Sequence, residues 1–182
     1  QEHYNTRDNN QKIEAYVSPF YGLTERETEF IQQRDSFYMA TVGDNGWPYI
    51  QFRGGPPGFL KILDDYTLGY ADFRGNLQYI SMGNLSHDKR VALIFMDYPN
   101  RARLKVWAKA SVVHADKAPK LIEKLQDQDY RAHIERAVTF EIQAFDWNCP
   151  QHITPRFTET EIQEIVSPLH QRIEELEKQL KE

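Results

Sequence analysis

The feature that most limits how this chain can fold is a series of short strand-like segments separated by tight-turn signals. Asp44-Asn45-Gly46 is a strong hairpin signal, and Asp64-Asp65 indicates a second tight turn. The aromatic content of 13% suits pleated, half-buried strands. The segments span residues 37–42, 47–52, 59–63, 68–71, 90–96, 104–113 and 134–145. We therefore expect a mainly β fold, an antiparallel barrel of six or seven strands, because closure removes exposed strand edges.

Helical patterns flank these segments. Thr24 and Glu27 form a T-x-x-E capping box that opens a short helix through residue 34. Residues 75–82 and 116–128 also have apolar side chains at helical spacing. We expect three regions in the chain: an N-terminal arm at 1–23, a barrel domain at 24–158 and a helical tail at 159–182.

The tail carries an apolar stripe with heptad spacing, which Ser167-Pro168 interrupts. We expect these two residues to be the N-cap and the first position of a second helical segment. The stripe either packs on the chain's own barrel or pairs with another helix across a dimer, and both alternatives remain open. Its members are Ile162, Val166, Leu169, Ile173, Leu176 and Leu180.

Composition and charge exclude several classes of protein. The 182-residue chain is 40% hydrophobic, and its net charge of −5 argues against general nucleic-acid binding. No membrane span or signal peptide is evident, and one cysteine, Cys149, suits a reducing compartment. We expect a cytoplasmic protein with neither nucleic-acid nor membrane partners. The six histidines lack metal-ligand spacing, and Rossmann, P-loop and serine-hydrolase motifs are absent, so no metal site is expected.

The first candidate site is the segment RGGPPGFLK at residues 53–61. Arg53 lies at the end of one predicted strand and Lys61 just inside the next, with Gly54 and Gly55 at the turn between them. Consecutive glycines allow backbone N–H groups to converge on an anion, and two cations held together repel each other unless an anion lies between them. The segment therefore predicts a phosphate site, and the alternative is an ordinary stiff loop.

The second candidate is the segment ADFRGNLQ at residues 71–78, at a predicted junction from strand to helix. Asn76 and Gln78 can hydrogen-bond a polar ring or phosphate oxygens, and Arg74 adds positive charge. The N-terminus of a helix also favours anions. The alternative is a turn with ordinary helix capping.

A third basic group lies on a predicted strand. Arg103 and Lys105 share one strand face because side chains alternate with period 2. Basic residues on a strand face are usually only solvated. This pair interrupts an otherwise apolar strand, which favours a role in ligand binding.

The segment DWNCPQHITPR at residues 146–156 predicts a rigid, polar loop after the last strand. Trp147 or His152 can lie against a flat aromatic ligand, and Gln151 adds an amide. A nucleophilic Cys149 with His152 as its base is a weaker interpretation, because nothing in the sequence indicates an activated thiolate. A structural loop at a subunit contact is the remaining alternative.

Together these motifs resemble the pyridoxamine 5'-phosphate oxidase-related, FMN-binding split-barrel family over residues 25–158. The resemblance implies a six-stranded split β-barrel and a homodimer with one FMN at each of two subunit junctions. It implies that Arg53 and Lys61 flank the flavin phosphate and ring, that Arg103 faces the flavin, and that residues 147–156 approach from the partner subunit. The residues that it assigns to the phosphate and ribityl chain are Ala71, Asp72, Asn76 and Gln78.

One departure separates the chain from true pyridoxamine phosphate oxidases. Their Arg-x-His element lies near the chain end, whereas Arg131-Ala-His133 precedes the last predicted strand here. We expect an FMN-dependent oxidoreductase acting on an unidentified small molecule, with His152 as the best candidate for a catalytic acid or base. The alternatives are a flavin-binding or stress-related protein without rapid turnover, and the same fold holding a deazaflavin or haem.

Overall fold

The structure, a computed structural model, describes residues 22–181 except 76, 128 and 148. The N-terminal arm expected at 1–23 lies almost wholly outside these residues. The helices are α1 (Glu25–Gln32), α2 (Ile80–His87), α3 (Pro119–Leu125) and α4 (Glu159–Gln179), and a 3-10 turn at Ala115–Lys117 precedes α3. The strands are β1 (Ser36–Val42), β2 (Pro48–Gly54), β3 (Lys61–Asp64), β4 (Thr67–Phe73), β5 (Arg90–Asp97), β6 (Ala102–His114) and β7 (Ile134–Trp147).

The seven strands form one antiparallel sheet in the order β2-β1-β5-β6-β7-β4-β3. The expected mainly β fold with flanking helices and a C-terminal helix is confirmed. The sheet has seven strands rather than the six that the resemblance implied, since the short β3 pairs with β4. The predicted hairpin at residues 44–46 joins β1 to β2, and Gly46 supplies the positive φ of 80° that this turn requires.

The sheet curls around an aromatic core. The ring of Phe37 in β1 lies 5.7 Å from the ring of Tyr70 in β4 and 6.1 Å from that of Phe140 in β7. In the sheet order, however, three strands separate β1 from β4. Strands so far apart can touch only if a twisted sheet bends back on itself. The fold is therefore a split barrel, in which β2 approaches β4 across the open side.

Local signals set the first helix correctly and the second only in part. Thr24 and Glu27 form the predicted capping box, after which α1 begins. The second helix begins at Ile80 instead of residue 75, because Leu77 and Tyr79 adopt positive φ angles of 63° and 49°. Such left-handed conformations interrupt a right-handed helix.

The later helices also differ from expectation. The helix predicted at 116–128 is confined to α3, which has Pro119 in its first turn. The predicted break at Ser167-Pro168 is wrong, because α4 runs through both residues as one helix. No residue of α4 is buried. Among the helices of the described ranges, none is long and apolar enough to cross a membrane.

Replacing Phe37 tests whether the aromatic core holds the curled sheet together. We expect Phe37→Ala to lower the free energy of unfolding by about 3–5 kcal/mol, because it removes a fully buried ring that packs β1 against β4 and β7. Phe157→Ala is the matched control, because Phe157 is 54% exposed and its loss should change stability by about 0.5 kcal/mol or less. Urea titration measures both values, and similar losses in the two variants would contradict this account of the core.

Candidate functional site

A cavity of about 260 Å³ lies where β2 and β4 face each other across the open side of the barrel. Gln51 and Arg53 reach this cavity from β2, Asp72 and Phe73 from β4, and Arg136 from β7. The segment before α2 and the helix itself complete the lining with Gly75, Leu77, Tyr79 and Met82. We call it the split cavity. It brings together Arg53 and Asp72, which the sequence placed in two separate motifs.

Asp72 is the charged centre of the split cavity. Its carboxylate accepts a hydrogen bond of 2.9 Å from Nε of Arg136 and lies 3.5 Å from a terminal nitrogen of Arg53. Only 4% of the Asp72 side chain is exposed, so the two guanidinium groups compensate a charge that water barely reaches. Burial by itself lowers the pKa of Arg136, but the hydrogen bond and the charge of Asp72 raise that pKa above its ordinary value.

These ion pairs correct one step of the sequence argument. The sequence predicts that Arg53 and Lys61 lie side by side, where their positive charges repel each other unless an external anion lies between them. In the structure Asp72 supplies a negative charge to Arg53. Lys61 instead lines a separate pocket with Gln32 and Lys124, so the two cations do not share a cavity.

Arg136 is a site residue that sequence analysis missed, although a signal for it was present. Val138 and Phe140 are buried at alternate positions of β7, and Arg136 is in phase with them. A charged side chain in phase with the buried face of a strand requires a partner. That partner is Asp72, 64 residues earlier in the chain, which the pairing of β4 with β7 places directly opposite.

Tyr79 connects the segment before α2 to the charged residues of β7 at the split cavity. Its hydroxyl donates a hydrogen bond of 3.0 Å to Glu135, and the guanidinium of Arg136 lies 4.7 Å from its ring centroid. Tyr79 is also the N-cap residue of α2, and its side chain makes no capping hydrogen bond. The first N–H groups of α2 therefore lack a side-chain acceptor from the N-cap, which suits an anionic ligand at this end of the helix.

The other residues predicted around this segment have different positions. Arg74 is largely exposed and lies 3.8 Å from Glu135, while Gln78 is exposed. Asn76 lies outside the described residues. Ala71 is buried against Leu125 and Ala137, on the strand face opposite to Asp72, so its side chain has a packing role.

A second, smaller cavity of about 170 Å³ adjoins the split cavity and shares Arg53, Asp72 and Phe73 with it. Tyr70 lines its inner side and is 2% exposed. Two buried donors at this cavity, the Tyr70 hydroxyl and Nε of Arg53, have no hydrogen-bond partner among the described residues. Burial raises the pKa of Tyr70, so this hydroxyl is a donor at neutral pH and not a base.

The sequence predicts that Gly54 and Gly55 form an anion-binding turn, but the structure gives them a packing role. Gly54 ends β2 opposite Ser36, and the N–H of Gly55 donates to the carbonyl of Asp35 at 2.9 Å. A Cβ atom at Gly54 would lie 2.8 Å from the ring of Phe52, and one at Gly55 would lie 2.7 Å from the ring of Phe59. The loop therefore needs glycine for close packing, and the Gly55 amide is already used.

Arg103 lies on the outer face of the barrel and not at the split cavity. Its Nε atom is buried without a hydrogen-bond partner among the described residues. Lys105, on the same strand face, pairs with Asp146 at 3.3 Å. This face of the sheet, which we call the outer face, also carries exposed apolar side chains of β1, β2 and β6: Tyr38, Ile50, Phe52 and Trp107.

Trp147 packs against its own subunit. Its indole Nε1 donates a hydrogen bond of 2.6 Å to Glu27 in α1, its ring meets Phe30 edge to face at 4.7 Å, and Arg26 lies 4.2 Å above it. The residue thus anchors the end of β7 to α1. These contacts account for Trp147 without a ligand.

Gln151 and His152 occupy an exposed turn after β7, and His152 adopts a positive φ of 65°. The lining of the split cavity includes neither residue. The described residues of one chain do not place His152 at this cavity, so its catalytic role, with approach from a second subunit, stays a prediction. In the described part of the chain, no cluster of three or more His, Cys, Asp and Glu side chains could hold a metal ion.

Comparison with known proteins assigns the family. Residues 23–147 match the family described as pyridoxamine 5'-phosphate oxidase. This match covers well over half of the chain and includes every strand of the barrel. The chain therefore belongs to the pyridoxamine 5'-phosphate oxidase family. No curated protein matches it significantly.

Solved structures with the same fold share little sequence with this chain. A candidate pyridoxamine 5'-phosphate oxidase from Lactobacillus delbrueckii is 23% identical with a TM-score of 0.53, and the match covers 69% of this chain and 93% of that one. An FMN-binding protein from Syntrophomonas wolfei is 16% identical with a TM-score of 0.51, covering 82% and 98%. HupZ from Group A Streptococcus is 14% identical with a TM-score of 0.52, covering 74% and 100%. At these identities the likeness establishes the fold.

The contact between Glu27 and Trp147 predicts an acid-sensitive attachment of α1. Burial by itself raises the pKa of Glu27, but hydrogen bonds from Thr24 and Trp147 hold that pKa below its ordinary value of 4.5. A carboxyl whose pKa is lowered by folding stabilises the fold at neutral pH, and this stabilisation is lost as the pH falls below about 4.5 and through the folded-state pKa.

We expect Glu27→Gln to lower stability at pH 7 by about 1.5–3 kcal/mol, the usual contribution of hydrogen bonds to a charged group. The variant should also lose part of the decline in stability between pH 5 and about pH 3. Urea denaturation across this pH range measures both effects, with Glu25→Gln as the control because Glu25 is exposed on the same helix. An unchanged pH dependence in Glu27→Gln would show that Glu27 does not couple protonation to folding.

Proposed function

We propose that the protein is an FMN-binding oxidoreductase that acts as a homodimer on an unidentified small molecule, with the phosphate-bearing part of FMN at the split cavity. The observation that carries the proposal is the position of Arg53. In a chain of this family, Arg53 lines both adjoining cavities and its buried Nε has no protein partner among the described residues. A buried, unpaired guanidinium donor is suited to an anionic ligand.

The charges around the split cavity also favour an anion. Among the residues that the structure describes here, three arginines, Arg53, Arg74 and Arg136, pair with two carboxylates, those of Asp72 and Glu135. The local balance is thus one positive charge, although the whole chain is negative. The N-terminus of α2 lies at the same cavity through Tyr79. Its helix dipole adds to the attraction for a negatively charged group.

The size of the split cavity supports a site that is shared between two subunits. About 260 Å³ is less than the volume of pockets that enclose a drug-sized ligand, which is roughly 300–1,000 Å³. Even with the adjoining cavity of about 170 Å³ the space lies near the lower end of that range, which fits the phosphate-bearing part of FMN with the rest covered by a second subunit. The outer face, with Ile50 at 63% and Phe52 at 57% exposure, is an apolar surface that a second copy would cover.

In this proposal the protein supplies binding and electrostatics, while FMN supplies hydride or electron transfer when it is bound. Arg53 and the N-terminus of α2 hold the negatively charged end of the ligand. Arg136 and Asp72 keep the Arg53 guanidinium in position. The loop that contains Gln151 and His152 would reach the site of the other subunit, where His152 is the candidate acid or base.

The absorption spectrum of the purified protein tests the cofactor directly. We expect flavin absorption bands near those of free FMN. The ligand released from the protein should have the mass of FMN, because the positive charge at the split cavity favours a flavin that carries a phosphate. A Soret band would indicate haem, and a single near-ultraviolet flavin-like band would indicate a deazaflavin. Bound FMN without turnover of NADH, NADPH or an acceptor would favour the flavin-binding or stress-related alternative over an oxidoreductase.

Replacing Arg53 tests the place of binding. We expect Arg53→Ala to weaken FMN binding by about ten- to a hundredfold, since it removes charge-assisted hydrogen bonds worth about 1.5–3 kcal/mol. Arg131→Ala is the matched control, because Arg131 is an exposed arginine outside the split cavity. Fluorescence titration with FMN measures both dissociation constants. Equal affinities in the two variants would remove Arg53 from the binding site.

A further inference from the structure

The C-terminal helix α4 carries an apolar stripe that its own chain leaves uncovered. Five of the six stripe residues are between 42% and 86% exposed, and Val166 is half-buried. Helix α4 contains no buried residue along its whole length. The stripe repeats with spacings of 4, 3, 4, 3 and 4, from Ile162 to Leu180. This alternation of 4 and 3 is the spacing of a coiled-coil seam, and the exposure of the stripe shows that the barrel of the same chain does not cover it.

We propose that α4 pairs with α4 of a second copy of this chain as a parallel, two-stranded coiled coil. The residue types along the stripe are the evidence for a pair of identical helices. With Leu169 and Leu176 at d positions, Val166 and Ile173 fall at a positions, while Ile162 at d and Leu180 at a lie at the two ends of the stripe. The four central residues decide the preferred number of strands. β-branched residues at a combined with leucine at d favour parallel pairs over trimers or tetramers.

Charges beside the seam favour the parallel arrangement. In this register Arg172 is a g residue and Glu177 is the e residue of the next heptad. A parallel pair brings each g residue next to that e residue of the other helix. Arg172, which pairs with Glu175 of its own helix at 2.9 Å, would thus also come close to Glu177 of the second copy, twice by symmetry. An antiparallel pair centred on the same stripe would place the two copies of Arg172 beside each other, and like charges repel.

The proline inside α4 is compatible with this seam. Pro168 is a c residue, which points away from the partner helix. The hydrogen bond that the proline removes therefore lies on the outer side of the pair. Glu164 and Gln171, at f positions, also lie on this outer side and are exposed.

The seam is short, so the inference rests on the homodimer of the proposed function. From Ile162 to Leu180 the stripe is about 27 Å long at 1.5 Å per residue, which is fewer than the three to four heptads of an independent coiled coil. Two barrels joined at their outer faces would hold the helices at a high effective concentration. Helix pairing would then add to the stability of the same dimer.

Cysteine cross-linking of the full chain tests the pairing and its direction. In a Cys149→Ser background, which removes the native thiol, we expect Leu176→Cys and Ile162→Cys each to form covalent dimers with themselves under mild oxidation. Gln171→Cys, on the outer side, should link at least tenfold more slowly. Non-reducing electrophoresis measures the rates. Rates for Leu176→Cys no faster than for Gln171→Cys would overturn the proposal. Links that form only when the Leu176→Cys protein is mixed with a Val166→Cys protein would also overturn it, since these two positions face each other in an antiparallel pair.

Reversing the flanking charges tests the contact of Arg172 with Glu177. We expect Arg172→Glu to slow cross-linking of the Leu176→Cys protein severalfold, and the further change Glu177→Arg to restore it. Cross-linking that ignores both changes would contradict the assigned register. The absorption spectrum separates this inference from the proposed function. A colourless protein that still cross-links through Leu176→Cys would refute the FMN site alone. A dimer that binds FMN but does not cross-link selectively through Leu176→Cys would refute the helix pairing alone.

Discussion

The ion pairs of Asp72 join parts of the barrel that no strand ladder connects. Arg53 stands on β2, at one end of the sheet order, while Asp72 and Arg136 stand on the adjacent strands β4 and β7 near the other end. One buried carboxylate thus ties the two sides of the split together. Removing one partner from such a group would leave an uncompensated buried charge, which is far more destabilising than losing an exposed pair. The position of the split cavity follows from this contact.

The same contact shapes what the cavity can bind. Asp72 compensates part of the positive charge of Arg53, so an anionic ligand bound as proposed would meet a guanidinium that is held in place but not neutralised by a bidentate partner. Nε of Arg53 and the hydroxyl of Tyr70 are buried donors at the adjoining cavities that have no hydrogen-bond partner among the described residues. A ligand that supplies acceptors to these donors would relieve the cost of burying them.

Within the part of the chain that the structure describes, the outer face of the barrel and the stripe of α4 are apolar surfaces left uncovered. Both consist of residues in regular elements, where side-chain positions follow from the strand and helix periods. Each surface is far larger than an isolated exposed side chain, which needs no explanation. A symmetric dimer is the simplest assembly that covers both surfaces with the same surfaces of another copy.

By itself the sequence determined the features that depend on neighbours in the chain. The hairpin before β2, the capping box of α1, the strand segments and the heptad stripe all follow from turn chemistry and side-chain period. Even Arg136 was visible as a charge in phase with a buried strand face. Only the tertiary structure decided that Arg136 and Arg53 share Asp72, that Lys61 lies in another pocket, and that the Gly55 amide binds Asp35. Those outcomes depend on which distant strands pair and how the sheet curls, and local propensities do not encode contacts between residues that are far apart in the chain.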